Sequence, residues 1–191
     1  DQSEHIIRLG PQGGTTTQQV HGKNFLGTFN EHAFHAANQG AAGQVTTVAL
    51  ATTYTGLCLS NPVGSEVLVV INQVSAAFNI VFPAAAFIGL MVGYSATTDV
   101  THTTPLSPRS DKVGQGGTPI AKADSAATLP TAPTVERVFG EVVASEADHF
   151  LHDYEGGLIL PAGGFCCIYT STISGANGML ASIDWEEIRI K

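Results

Sequence analysis

Short apolar, β-branched runs, each closed by glycine, proline or asparagine, recur along most of this chain, and no stretch sustains a long helical period. Such runs are long enough for a strand and too short for a stable helix. Val45–Leu50 is the first. Gly56–Ser60 follows, closed by the turn residues Asn61-Pro62-Val63-Gly64-Ser65. Glu66–Val74 is a continuous apolar run, the signature of a strand covered on both faces or buried against another subunit. Phe78–Phe82 ends at Pro83, and Phe87–Tyr94 carries Gly89 and Gly93 as bulge signals. After a break the pattern resumes at Val135–Val143, Leu158–Gly164, Phe165–Thr170 and Met179–Ile190. About eight to ten short antiparallel strands with irregular Gly/Pro connections predict an all-β, jelly-roll-like β-sandwich.

Two regions depart from that pattern. Residues 1–44 hold five glycines up to Gly27 and a triple threonine with no sustained period, and read as an extended N-terminal arm. Within it, Asn30–Asn38 predicts one short helix stopping at Gly40. Residues 104–134 contain five of the nine prolines and read as a long surface loop inside the domain spanning 45–191.

Composition narrows the function classes. Charged residues make up 13%, about half the usual share, while hydrophobic residues make up 43%. A surface of small and hydroxyl residues suits a protein held against neighbours. The net charge is −8 and Arg109, Lys112 and Lys122 form the longest basic grouping, which argues against a nucleic-acid partner. The most apolar stretch, Ile80–Val92, is interrupted by Pro83 and Gly89 and is too short to span a bilayer, and the acidic start predicts no signal peptide. Cys58, Cys166 and Cys167 are odd in number, and two are adjacent, which predicts buried reduced thiols and no disulfide framework.

The sharpest chemical constellation is His149-Phe150-Leu151-His152-Asp153-Tyr154-Glu155. His149, His152 and Glu155 are its candidate ligands for a divalent metal. The following Leu160-Pro161-Ala162-Gly163 resembles the Pro-x-Gly turn of cupins, a jelly-roll family with many metal enzymes. This chain departs from cupins in spacing. His149 and His152 lie three apart, which on a strand sends them to opposite faces, and Cys166 stands where the resemblance would require a histidine. The segment is therefore expected to be a polar loop before a core strand, with no metal or cofactor. Asp148, Asp153 and Glu155 are a second, calcium-type grouping without an ordered ligand spacing. His32 and His35 would chelate one turn apart if their segment were helical. No Gly-x-Ser-x-Gly, P-loop or dinucleotide fingerprint is present, so no enzyme activity is expected.

The stretch Gly157–Ile188, with its Gly175-Ala176-Asn177-Gly178 turn and Ser182-Ile183-Asp184-Trp185-Glu186-Glu187 near the end, looks like tailed-phage virion proteins, and Gly56–Ser65 is similar to an earlier strand–turn unit of the same proteins. The likeness covers roughly a third of the chain and carries no catalytic motif. It implies a jelly-roll structural protein of the virion, assembled in the host cytoplasm, decorating the capsid or forming part of a fibre or tail. The implied partners are further copies of the chain, as a homotrimer, and other virion proteins such as the major capsid protein. A carbohydrate- or receptor-binding fibre module is the alternative, and a cupin-like metal enzyme a lesser one.

Overall fold

The computed structural model describes residues 8–9, 15–16, 24–38, 50–78, 84–114, 116–144, 148–172 and 178–190. Its elements are β1 (Arg8–Leu9), β2 (Thr15–Thr16), α1 (Phe25–Phe29), β3 (Ala33–Ala37), β4 (Thr53–Ser60), β5 (Val67–Phe78), β6 (Ala86–Tyr94), β7 (Thr101–Pro105), β8 (Arg109–Ser110), β9 (Lys122–Thr128), β10 (Thr134–Val142), β11 (His149–Leu160), β12 (Gly164–Thr170) and β13 (Met179–Arg189). The strands expected at Val45–Leu50 and Phe78–Phe82 fall almost entirely outside the described residues.

β1 and β2 pair with each other, and the other strands form two antiparallel sheets. One runs β10-β6-β12-β4-β9-β7 and the other β11-β5-β13-β3-β8. The pairings β3–β13, β4–β12, β5–β11 and β6–β10 describe one long hairpin whose successive rungs alternate between sheets. That rolled hairpin is a jelly roll. The expected all-β sandwich is what the chain forms.

Strand periodicity accounts for the core. β13 sends Met179, Ala181, Ile183 and Trp185 inward at a period of two. β5 does the same with Val67, Val69 and Ile71, then changes parity to Val74, Ala76 and Phe78. The change is a bulge at Asn72, where β13 passes from Asp184 to Trp185 while β5 passes from Gln73 to Ile71. Val70, on the face opposite Val69 and Ile71, is buried too, which fits the continuous apolar run read over this stretch. Leu57, Leu59, Ile88, Leu90, Cys166 and Ile168 line the facing sheet. Trp185 is fully buried beside Phe34, at a ring separation of 6.0 Å.

A second, smaller core covers the outer side of the six-stranded sheet. Tyr54, Cys58, Met91, Phe165, Cys167 and Tyr169 project there, beneath Val100, Ala127 and Leu129. The Tyr54 hydroxyl lies between the carbonyls of Leu57 and Ile168 and has an acceptor there for its one proton, which satisfies it within this apolar layer. All three cysteines are free and buried, as expected.

Three local expectations are corrected. The helix predicted over Asn30–Asn38 is instead α1, lying earlier, followed by strand β3. Glu31 takes a left-handed conformation (φ 64°) between them. Phe34 and Ala36 gain burial against β13, and that pairing overrides the helical preference of the alanines. The arm therefore stops short of residue 44, because β3 is an interior strand of the five-stranded sheet. Residues 104–134 are not wholly loop: β8 extends one sheet beside β3, and β9 extends the other beside β4. The burial of Ala121, Ala123, Asp124, Ser125 and Ala127 leaves little hydrophobic signal, because these residues are small or polar.

Candidate functional site

β3, β13 and the turn after β8 bring a mixed donor cluster together on the outer face of the five-stranded sheet. Asp184 lies directly opposite His35 in the β13–β3 pairing, and His35 lies opposite Arg109 in the β3–β8 pairing. Asp111 follows β8 and closes on the imidazole, its Oδ1 2.6 Å from His35 Nδ1. A backbone bond from Asp111 N–H to the Ala33 carbonyl (3.1 Å) fixes that turn. One donor atom from each of His35, Asp111 and Asp184 lies within 4.8 Å of the others. All three side chains are half-buried. Burial, and then the nearby Asp111 charge, hold the Asp184 carboxyl above the usual aspartate range, with His35 opposing.

Cations do not neutralise the cluster. Lys112, next to Asp111, reaches away to Glu31 at 2.7 Å. Among the described residues, no lysine or arginine forms an ion pair with Asp111 or Asp184.

The sequence-predicted ligands lie elsewhere and are not brought together. His149 opens β11 as an exposed side chain 3.9 Å from Asp148. His152 faces the other way, as its spacing required. Its Nε2 accepts from Arg137 Nη1 at 3.0 Å, and its ring stacks on Phe139 at 5.1 Å. Glu155 sits in a wide bulge of β11 with φ 50°. The polar loop expected here is thus the strand itself. Cys166, at the position a cupin would give to histidine, is packed in the main core, where burial pushes its thiol well up and disfavours the thiolate a metal needs. Asp153 points outward with its Oδ1 accepting from Glu155 N–H at 3.0 Å, a local turn contact. His32 and His35 do not chelate, since they stand on an extended segment. Asp111 and Asp184 were missed because nothing local in sequence marks residues that only strand pairing unites.

Two buried carboxylates organise the residue 95–133 insertion: Glu187 ties it to β13, and Asp124 ties β9 to β7 within it. Glu187 Oε1 and Oε2 accept from Ile120 N–H (2.9 and 3.0 Å), and Oε1 also accepts from Ala121 N–H (2.8 Å) and the Trp185 indole (3.4 Å). Asp124, fully buried on β9, takes His102 Nδ1 at 2.7 Å through Oδ2, while its Oδ1 has no partner among the described residues. Burial raises the Asp124 carboxyl above its ordinary range, against the lowering effect of His102. A cavity of about 310 Å³ lies beside Glu187, between Asn30–His32 and Gly117–Ile120. Glu187 is already saturated by the backbone, so its carboxylate acts there as a clamp.

The two segments that carry the virion-protein likeness lie side by side. Asn61 N–H donates to the Gly164 carbonyl and Gly163 N–H to the Asn61 carbonyl, each at 2.8 Å. The buried Asn61 amide donates onward to Val67 and Leu160 carbonyls. No protein-family model, curated protein or solved structure matches the chain. No helix among the described residues is long and apolar enough to cross a membrane.

Proposed function

We propose that this chain is a non-enzymatic structural subunit of a bacteriophage virion, self-associating as a homotrimer and cementing or decorating the capsid through contacts with other virion proteins. The observation that carries the reading is the side-chain layer flanking β10 and β11. Phe87, Val135 and Val138 are exposed on the outer side of one sheet, and Leu151, Ile159 and Ile188 on the outer side of the other. These exposed apolar groups, on the outer faces of both sheets, offer contact surface to neighbouring subunits. The rolled-hairpin topology, the low charge and the likeness of Gly157–Ile188 and Gly56–Ser65 to tailed-phage proteins support it further.

Analytical ultracentrifugation tests the self-association directly. A trimer at micromolar concentration is expected, dissociated by Val138→Lys with Leu151→Lys. A wild-type chain that stays monomeric throughout that range would overturn the assembly reading. Immunogold labelling of purified particles tests the location: signal on the particle surface is expected, and unlabelled particles from an expressing infection would exclude it.

A further inference from the structure

We propose that His35, Asp111 and Asp184 form a zinc site that ties the insertion to the sandwich. The donors are of two kinds and come from three distant parts of the chain, one on β3, one after β8 and one on β13. One imidazole with two carboxylates is a set that zinc accepts, at bonds of about 2.0–2.2 Å with room for a water as fourth ligand. Tetrahedral ligands at such bonds stand roughly 3.3 Å apart. The present donors bracket that value, from the 2.6 Å His35–Asp111 contact to the 4.8 Å limit of the group, so small side-chain rotations suffice.

The surroundings favour an added cation. Two carboxylates face each other, and Asp184 accepts no hydrogen bond among the described residues. Arg109, across from His35 on β8, forms no ion pair with either carboxylate, and Lys112 is committed to Glu31. On binding, His35 Nδ1 gives its lone pair to the metal in place of its contact with Asp111 Oδ1. The mechanical result is a clip across the two-residue β3–β8 pairing, the shortest contact that holds the insertion to the five-stranded sheet.

The test uses the full chain stripped with EDTA, titrated with ZnCl2 by calorimetry, with bound metal counted by mass spectrometry. One zinc per chain with micromolar or tighter affinity is expected, with a rise in Tm of roughly 5–10 °C at a hundredfold excess over Kd. Asp184→Asn and Asp111→Asn should each weaken binding about a hundredfold. Asp184→Asn keeps the metal-free fold at least as stable, because it removes a charge that Asp111 opposes. A His32→Gln/His149→Gln variant controls for surface histidines and should bind as the wild type does. Zinc should also slow tryptic cleavage at Arg109 and Lys112 about tenfold in the wild type and the histidine control, and not in the two aspartate variants. A folded chain that takes up no zinc at 100 μM (about a hundred times a micromolar Kd) overturns the proposal, and so does uptake that survives Asp184→Asn. The outcome is independent of whether the chain trimerises.

Discussion

The two sides of this sandwich are finished in opposite ways. On one side the insertion adds β7, β8 and β9, so that both sheets end in short strands with polar side chains such as Thr101, His102 and Arg109. Buried Glu187 on the 120–121 backbone, buried Asp124 on His102, and half-buried Asp111 on His35 hold that side. On the other side the sheets end in β10 and β11, long strands with no further neighbour among the described residues. Bulges interrupt both, between Val135 and Gly140 in β10 and between Asp153 and Leu158 in β11. Bulged edges resist strand addition. The lesson is that this side presents exposed side chains such as Val138 and Leu151 beside an irregular backbone edge, while the closed side is tied down by internal anchors.

Deleting β3 should break the closed side outright. A chain lacking residues 1–44 loses Phe34 and Ala36 and exposes Trp185, and removing such a core layer exceeds the stability of an ordinary domain. Loss of the cooperative thermal transition is expected. A chain lacking residues 1–23 keeps β3 and should retain that transition. If both truncations melt alike, β3 does not contribute as its burial implies.

Glu187→Ala comes next. It leaves the Ile120 and Ala121 N–H groups without their acceptor in a buried setting, at a cost of about 3 kcal/mol. Urea unfolding should register that loss, and hydrogen exchange should localise it to residues 116–128. A uniform loss of protection across both sheets would instead make Glu187 part of the general core.

How far the sequence revealed these features follows from what kind of signal each one leaves. β5 and β6 were legible because Val, Ile, Leu and Phe recur along them, and β12 and β13 because large apolar side chains such as Phe165, Ile168, Ile183 and Trp185 do. β9 was not, since Lys122–Thr128 is built from alanine, serine and threonine, whose burial depends on neighbours rather than on their own hydrophobicity. β3 was hidden by alanines that also favour helix. The opposite orientations of His149 and His152 followed from spacing alone. The His35–Asp111–Asp184 cluster left no local trace, because its first two members stand 76 residues apart and meet only through register.

On the open side, Val138→Lys and Leu151→Lys should change stability by no more than about 0.5 kcal/mol, because both side chains are already exposed, Leu151 at 66%. Their effect should fall on association. Equal losses of stability and assembly would mean that these residues belong to the fold.

The smallest effect concerns acid. His152 bridges β11 to β10 as a neutral ring: its Nε2 accepts from Arg137, and it packs between Phe139 and Tyr154. Burial first, then the Arg137 charge, hold its pKa below the ordinary 6.5, with Asp153 opposing. A histidine with a depressed folded pKa binds its proton less readily than the unfolded chain does. Its contribution is therefore complete above about pH 6.5 and is lost as pH falls through the folded value. On the closed side, His35 and His102 instead set Nδ1 against the carboxylates of Asp111 and Asp124. His152→Phe keeps a ring against Phe139 and removes the titration. Urea midpoints between pH 7.5 and pH 5 should fall less for this variant than for the wild type, and hydrogen exchange should show the acid-induced opening in β10 and β11 before β8 and β9. Identical pH slopes for the two proteins would remove His152 as the source, and earlier opening at β8 and β9 would reverse the assignment of strong and weak sides.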